Sequence, residues 1–232
     1  MCIRDRCARV ERCASFLHLH VGIDAAGLPT APSEAFPAQW AALDDWERGV
    51  DAPRNLVLVS CASLLDPSLA PDGCHVLHAY VPATEPYEEW ARFERAGAAA
   101  PAGDAGAAYD DDAYRRSAEY RAAKDAAADV LWRAIERYIP DARARAKISR
   151  VGSPLTHARY LRRDRGTYGA LVDAATGELL PGHKTPLPGL FMCGDSTFPG
   201  IGVPAVAASA LITANSIVSV PQHWRMLDAI KM

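Results

Sequence analysis

Two groups of residues combine type and spacing in a way that suits chemistry. The first lies in Leu187–Ser219, which reads LPGLFMCGDSTFPGIGVPAVAASALITANSIVS. A turn at Pro188-Gly189 introduces a short apolar strand expected over Leu190–Cys193. Gly194 and Asp195 follow at its carboxyl end, where open α/β sheets place their ligands. The glycine lets a ligand approach the backbone closely, and the aspartate can accept a hydroxyl hydrogen bond from a sugar-like chain. Gly200, Gly202, Val203 and Pro204 then form a bend that opens a helix, and Pro204 suits its first turn. Free N–H groups around Gly202, Val203 and Ala205 favour an electron-rich or anionic group, and Ala205, Ala208 and Ser209 are small enough to pack on a flat ring or a neighbouring helix. The second group is His18 and His20, on alternate positions of FLHLHV, Phe16–Val21. Their spacing is that of a metal-binding pair, but the neighbouring sequence offers no third ligand. They are read as a strand face looking into a domain interface, and no metal site is assigned. No catalytic residue is assigned either.

Other readings of the first group are weaker. GIGVPA, Gly200–Ala205, resembles part of a G-x-G-x-x-A dinucleotide fingerprint, yet six residues separate Cys193 from Gly200 and no acidic residue follows a second strand some twenty positions on. Val203–Val220 is long enough for a membrane span, but Ser209, Thr213, Asn215, Ser216 and Ser219 dilute it. A plain buried helix remains open on spacing alone.

The elements that must position these residues follow from hydrophobic period and turn signals. Strands are expected at Phe16–Val21, Asn55–Ser60, Cys74–Val81 (ended by Pro82 and Pro86) and Lys147–Val151. Helices are expected over Ala38–Glu47, from Glu88, over Asp111–Tyr138 up to Pro140, and over Leu155–Arg162. Gly97–Gly106 reads as a variable loop, and Gly166, Gly169, Gly177 and Gly182 mark turns. Residues 1–14, beginning MCIRDRCARVER, read as a non-native or disordered amino end without a signal-peptide core.

Half of the 232 residues are apolar and 23% are charged, which is ordinary globular composition. The net charge of -3, with 25 basic and 28 acidic residues interspersed, excludes a nucleic-acid partner on electrostatic grounds. The basic stretch Arg143–Arg165 is interrupted and reads as a solvated or interdomain face. Six cysteines without a close C-x-x-C pair indicate a reducing compartment, with Cys61, Cys74 and Cys193 as small buried residues.

GLFMCGDSTFPGIGVPAVAASA at Gly189–Ala210 resembles the carboxyl-terminal flavin motif of the carotenoid isomerases, the prolycopene isomerase branch of the phytoene desaturase-like flavoproteins. HLHVGIDAAGLP at His18–Pro29, LDPSLAPDGCHVLHAYVP at Leu65–Pro82, YEEW at Tyr87–Trp90 and SPLTHARYLRRDRGTYG at Ser153–Gly169 resemble the same family, in the family's order.

The resemblance implies a mixed α/β (α+β) fold, the carboxyl-terminal part of a two-domain FAD/NAD(P)-binding Rossmann-like flavoprotein. Residues 15–170 would be a substrate-domain portion, 171–220 the segment that closes the FAD site, and 221–232 a tail. It implies reduced FAD as cofactor, with Gly194, Asp195, Gly200, Gly202, Val203 and Pro204 binding it. The implied activity is cis–trans isomerisation of prolycopene to all-trans lycopene. A desaturase or saturase with net redox, or a non-catalytic interaction domain with a vestigial flavin motif, are the alternatives. Also implied are a hydrophobic polyene substrate, peripheral membrane contact in a plastid, and an N-terminal half of the same protein carrying the dinucleotide fingerprint, without which this piece should bind FAD poorly.

Overall fold

The computed structural model describes residues 11–97, 115, 117–172 and 180–230. The chain forms two compact units, Ala14–Thr167, and Tyr168–Met232 with Met1–Cys13.

The first unit is built on five strands: β1 (Ser15–Asp24), β2 (Gln39–Leu43), β3 (Leu56–Cys61), β4 (Cys74–Glu85) and β5 (Ala146–Gly152). They lie in the order β2-β3-β4-β1-β5, and every pairing is antiparallel. This overturns the Rossmann-like expectation. The mixed content of helix and strand is present, but the parallel dinucleotide-binding sheet is not. The reason is visible in the strands themselves. Parallel strands covered on both sides read as continuous apolar runs, whereas β1 and β4 alternate in sequence and β3, though it reads LVLVSC, alternates in burial, as a sheet with one buried face requires. Leu17, Leu19, Val21 and Ile23 of β1 are buried together with His75, Leu77, Ala79 and Val81 of β4 and Val57, Val59 and Cys61 of β3. His18, His20, His78 and Tyr80 therefore emerge on the opposite face.

Helices α1 (Glu88–Gly97), α2 (Ala118–Ala127), α3 (Asp129–Glu136) and α4 (Pro154–Leu161) accompany the sheet. Leu131, Ala134 and Ile135 of α3 join the core that the buried strand face begins. Trp40 of β2 enters the same core and donates from its indole N–H to the Ala134 carbonyl at 2.9 Å. A helix was expected around Trp40, Leu43 and Trp46, whose spacing mimics a helical stripe. Pairing with β3 wins instead, burying Trp40 and Ala42 at strand period. The expected long helix is divided at Ala128, and Asp111–Asp112 at its start lie outside the described residues. So does much of the expected loop Gly97–Gly106.

Pro82 does not end β4, which continues to Glu85. Glu85 is fully buried and binds Arg54 through both carboxylate oxygens, at 2.8 and 2.5 Å, while the Trp90 indole N–H donates to it at 2.7 Å. Trp90, in the first turn of the helix that begins at Glu88, is thereby tied to the end of the longest strand.

In the second unit, α5 (Val203–Ile217) and α6 (Val220–Ile230) follow a loop that contains little regular structure. The helix predicted to open at Val203–Pro204 is present. The expected strand Leu190–Cys193 reduces to one bridge, Lys184 to Phe191, and the stretch expected to be a tail carries α6. Among the described residues no helix is long and apolar enough to cross a membrane.

Candidate functional site

Loop and helix of the second unit are joined by hydroxyl groups. The Gly194 N–H donates to Ser209 Oγ at 3.1 Å, and Thr197 Oγ1 donates to the Gly194 carbonyl at 2.8 Å. That leaves Ser209 to donate to Thr197 Oγ1 across 2.6 Å. Thr213, one turn further on, reaches the Met192 carbonyl at 3.2 Å. Ser209 lies six residues into α5, about 9 Å along its axis from Val203. Gly194 is thus held against the body of the helix, while Gly200 and Gly202 lead into its first turn. Gly194, Gly200 and Gly202 have φ of 124°, 126° and 98°, values that strain any L side chain. A Cβ on Gly194 or Gly202 would meet nothing within 4 Å, so open space adjoins both. The half-buried Asp195 accepts from Ser196 Oγ at 3.2 Å. The residue before the first turn of α5, Gly202, has no side chain to cap it, and Val203 in that turn is 84% exposed. Cys193, expected in the core, is exposed, because the loop is fixed by hydroxyl bonds and leaves its apolar side chains outward, and Cys74, also expected to be buried, is only partly covered at the first position of β4.

A second constellation lies wholly within the first unit. In the β1–β4 register His20 faces His78 and His18 faces Tyr80. On the other side His18 faces Gly152 and His20 faces Arg150 of β5. His18 Nδ1 and His78 Nε2 share a hydrogen bond of 2.6 Å, with ring centroids 4.9 Å apart and planes inclined by 2°. His20 and His78 have centroids 4.4 Å apart at 3°. One ring nitrogen from each of His18, His20 and His78 lies within 4.8 Å of the other two. His157 of α4 adds a fourth imidazole, its centroid 4.9 Å from that of His18, and its buried Nε2 has no hydrogen-bond partner among the described residues.

These rings line a cavity of about 370 Å³ with Tyr120, Thr156 and Tyr160, and with the cationic Arg115, Lys124, Arg150 and Arg159. Burial first, then repulsion from His157, His78 and His20, pushes the His18 imidazole down to about 3. Burial likewise lowers His78 to about 4 and holds His20 and His157 below the ordinary histidine value. All four are therefore neutral at pH 7, with lone pairs available. A serine–histidine contact elsewhere serves the core instead: His75 Nε2 donates to the Pro29 carbonyl at 2.9 Å, leaving Nδ1 to accept from the buried Ser63 hydroxyl at 3.0 Å. The spacing of His18 and His20 signals a pair. His78 and His157 stand in the motifs Leu65–Pro82 and Ser153–Gly169, but the sequence assigns them no ligand role because they join that pair only through strand register and the docking of α4.

No family model matches the chain. Individual proteins do. A prolycopene isomerase of Arabidopsis thaliana chloroplasts is 32% identical over 220 residues, covering 92% of this chain and 32% of that protein. A chloroplastic prolycopene isomerase of Daucus carota is 31% identical over 221 residues, 93% of this chain and 31% of its own length. Prolycopene isomerase 2 of an Oncidium hybrid is 31% identical over 208 residues, 88% and 31% of the two chains. The chain is homologous to the plant chloroplastic prolycopene isomerase family. It spans about a third of the length of these curated relatives.

Proposed function

We propose that this chain is part of a longer, FAD-dependent carotenoid isomerase of plastids, acting on a poly-cis polyene of the prolycopene type to give the all-trans form. The observation that carries the reading is homology to prolycopene isomerases over about nine-tenths of the chain.

Two features of the second unit support FAD as the cofactor. Open space adjoins Gly194 and Gly202, both at positive φ, and the N-cap glycine of α5 brings no side chain to its first turn. Together they suit a polar chain approaching backbone and a flat ring at a helix start. Gly194 would allow the close approach and Asp195 would accept a hydroxyl of the ribityl or pyrophosphate-proximal part. Gly200 would shape the bend. Gly202, Val203 and Pro204 would lie by the isoalloxazine ring, and Thr197 and Ser209 would fix the loop. Reduced FAD, when bound, supplies an electron-rich ring that can perturb a conjugated double bond and lower its rotation barrier. The residues of this chain hold and orient, and net redox change is not required of them. Outward apolar residues of α5 and α6, such as Leu211 and Trp224, suit packing by the rest of the longer protein or peripheral contact with lipid.

The test is incubation of the complete protein, reduced and loaded with FAD, with prolycopene. Isomerisation gives all-trans product of unchanged mass. A product lighter by two hydrogens would replace this reading with a desaturase, and no conversion with retained fold would favour a non-catalytic role.

A further inference from the structure

The histidine cluster lies outside the segment assigned to FAD and has no part in that reading. Its geometry is specific. The His18 and His78 centroids are 4.9 Å apart and their facing nitrogens 2.6 Å apart, so both nitrogens lie on the line between the rings. With planes only 2° apart, the two rings share one plane. His20 is inclined by 3° to His78 and 4° to His18, so all three planes are parallel. The centroid separations are 4.9, 4.4 and 5.9 Å. A point equidistant from the three centroids is about 3 Å from each, and an imidazole nitrogen about 2.1 Å from zinc puts its ring centroid about 3.2 Å from the ion. The separations suit an ion, while the parallel rings must rotate before their in-plane lone pairs converge on it.

We propose that His18, His20 and His78 form a three-histidine site for a divalent transition metal of the zinc class. Two ligands at alternate positions of one strand and a third directly across the antiparallel ladder form a triangle fixed by backbone register. Three imidazoles without a carboxylate suit zinc, copper, nickel or iron rather than magnesium or calcium. Binding breaks the His18–His78 hydrogen bond: each ring pivots to aim a lone pair at the ion, and the shared proton moves to the outer nitrogen of its ring. The fourth position opens on the cavity, where Arg150 and Arg159 favour water, hydroxide or a small anion. His157 Nε2, buried without a partner among the described residues, stands beside His18 to bond such a ligand.

The experiment uses the whole chain, without a histidine tag and stripped with chelator, titrated with Zn(II) and separately with Co(II). One equivalent should bind. The cobalt form should show visible ligand-field bands without the near-ultraviolet thiolate charge-transfer band that cysteine ligation would give. His20 is exposed, so His20→Gln should fold normally and weaken zinc binding by more than about tenfold. His78→Gln should do the same, and His223→Gln should not. Thermal unfolding in chelator verifies that each variant is folded. Absence of one-to-one binding by the parent chain, a thiolate signature, or unchanged affinity in folded His20→Gln would overturn the proposal.

Discussion

At the scale of single residues, the carboxylate of Asp195 and the imidazoles of the open sheet face lead to separate expectations. In the complete protein, Asp195→Ala should weaken FAD about tenfold to a hundredfold, the loss of a hydrogen bond from a charged acceptor, and Asp195→Asn should weaken it less. Flavin titration of the folded fraction checks this, and an unchanged dissociation constant would leave Asp195 as a turn residue bonded to Ser196. For the histidines the sign is fixed by depressed values. His18 and His78 titrate near 3 and 4 in the folded chain, against about 6.5 when unfolded. Above pH 6.5 neither state binds the proton and stability is unaffected. Below it the unfolded chain takes protons that the folded chain refuses, so stability falls until the folded sites protonate. His20, His157, Arg115, Arg150, Arg159 and Lys124 share the cavity and reinforce that refusal. With chelator present, the urea midpoint should fall between pH 6.5 and 5, and His78→Gln should flatten the slope.

Among the elements, the alternation of FLHLHV and CHVLHAYV was enough to place β1 and β4, and Pro204 marked the start of α5. Neither predicts which histidine faces which. The pairing of His20 with His78 joins residues 58 positions apart, and register is set by the assembled sheet. Trp40 and Trp46 suggested a helix because their spacing fits one, until β3 supplied an edge to pair with. Pro82 looked like a stop and was accommodated, while Glu85 beyond it carries much of the junction. Glu85→Ala leaves the Trp90 indole without its acceptor and Arg54 with Glu89 Oε2, at 2.7 Å, as its remaining carboxylate partner. Arg54 is 29% exposed on its side chain and can partly rehydrate, so the cost should be about 3 kcal/mol, at the low end for a broken buried pair. Glu85→Gln should cost less, and chemical denaturation of both variants measures the difference. Ser209→Ala orphans the Gly194 N–H and the Thr197 hydroxyl contact, and should cost about 1–3 kcal/mol. A Rossmann-like sheet was expected through the family's flavin, yet the alternating strands already argued for an antiparallel one.

Across the whole molecule, α5 departs from the usual arrangement of a surface helix. Its sequence is predominantly apolar, a composition that ordinarily belongs to a buried helix. Yet its buried residues are Ser209 and Thr213, while Val203, Leu211 and Ile217 face outward. Leu187, Leu190, Trp224 and Ile230 extend the exposed apolar surface. The isolated chain should therefore bind hydrophobic dyes and self-associate, and a monodisperse, dye-silent monomer would contradict this. The hydroxyls that seat α5 and the aliphatic groups that face outward also separate two kinds of information along one helix. Seating is read from Ser209 and Thr213, and recognition by whatever lies outside is read from Leu211 and Ile217. Leu211→Glu should consequently leave the melting temperature of this chain almost unchanged and raise its solubility. The same change in the complete protein should reduce flavin retention or assembly, so one substitution compared in two backgrounds distinguishes a damaged fold from a damaged fit.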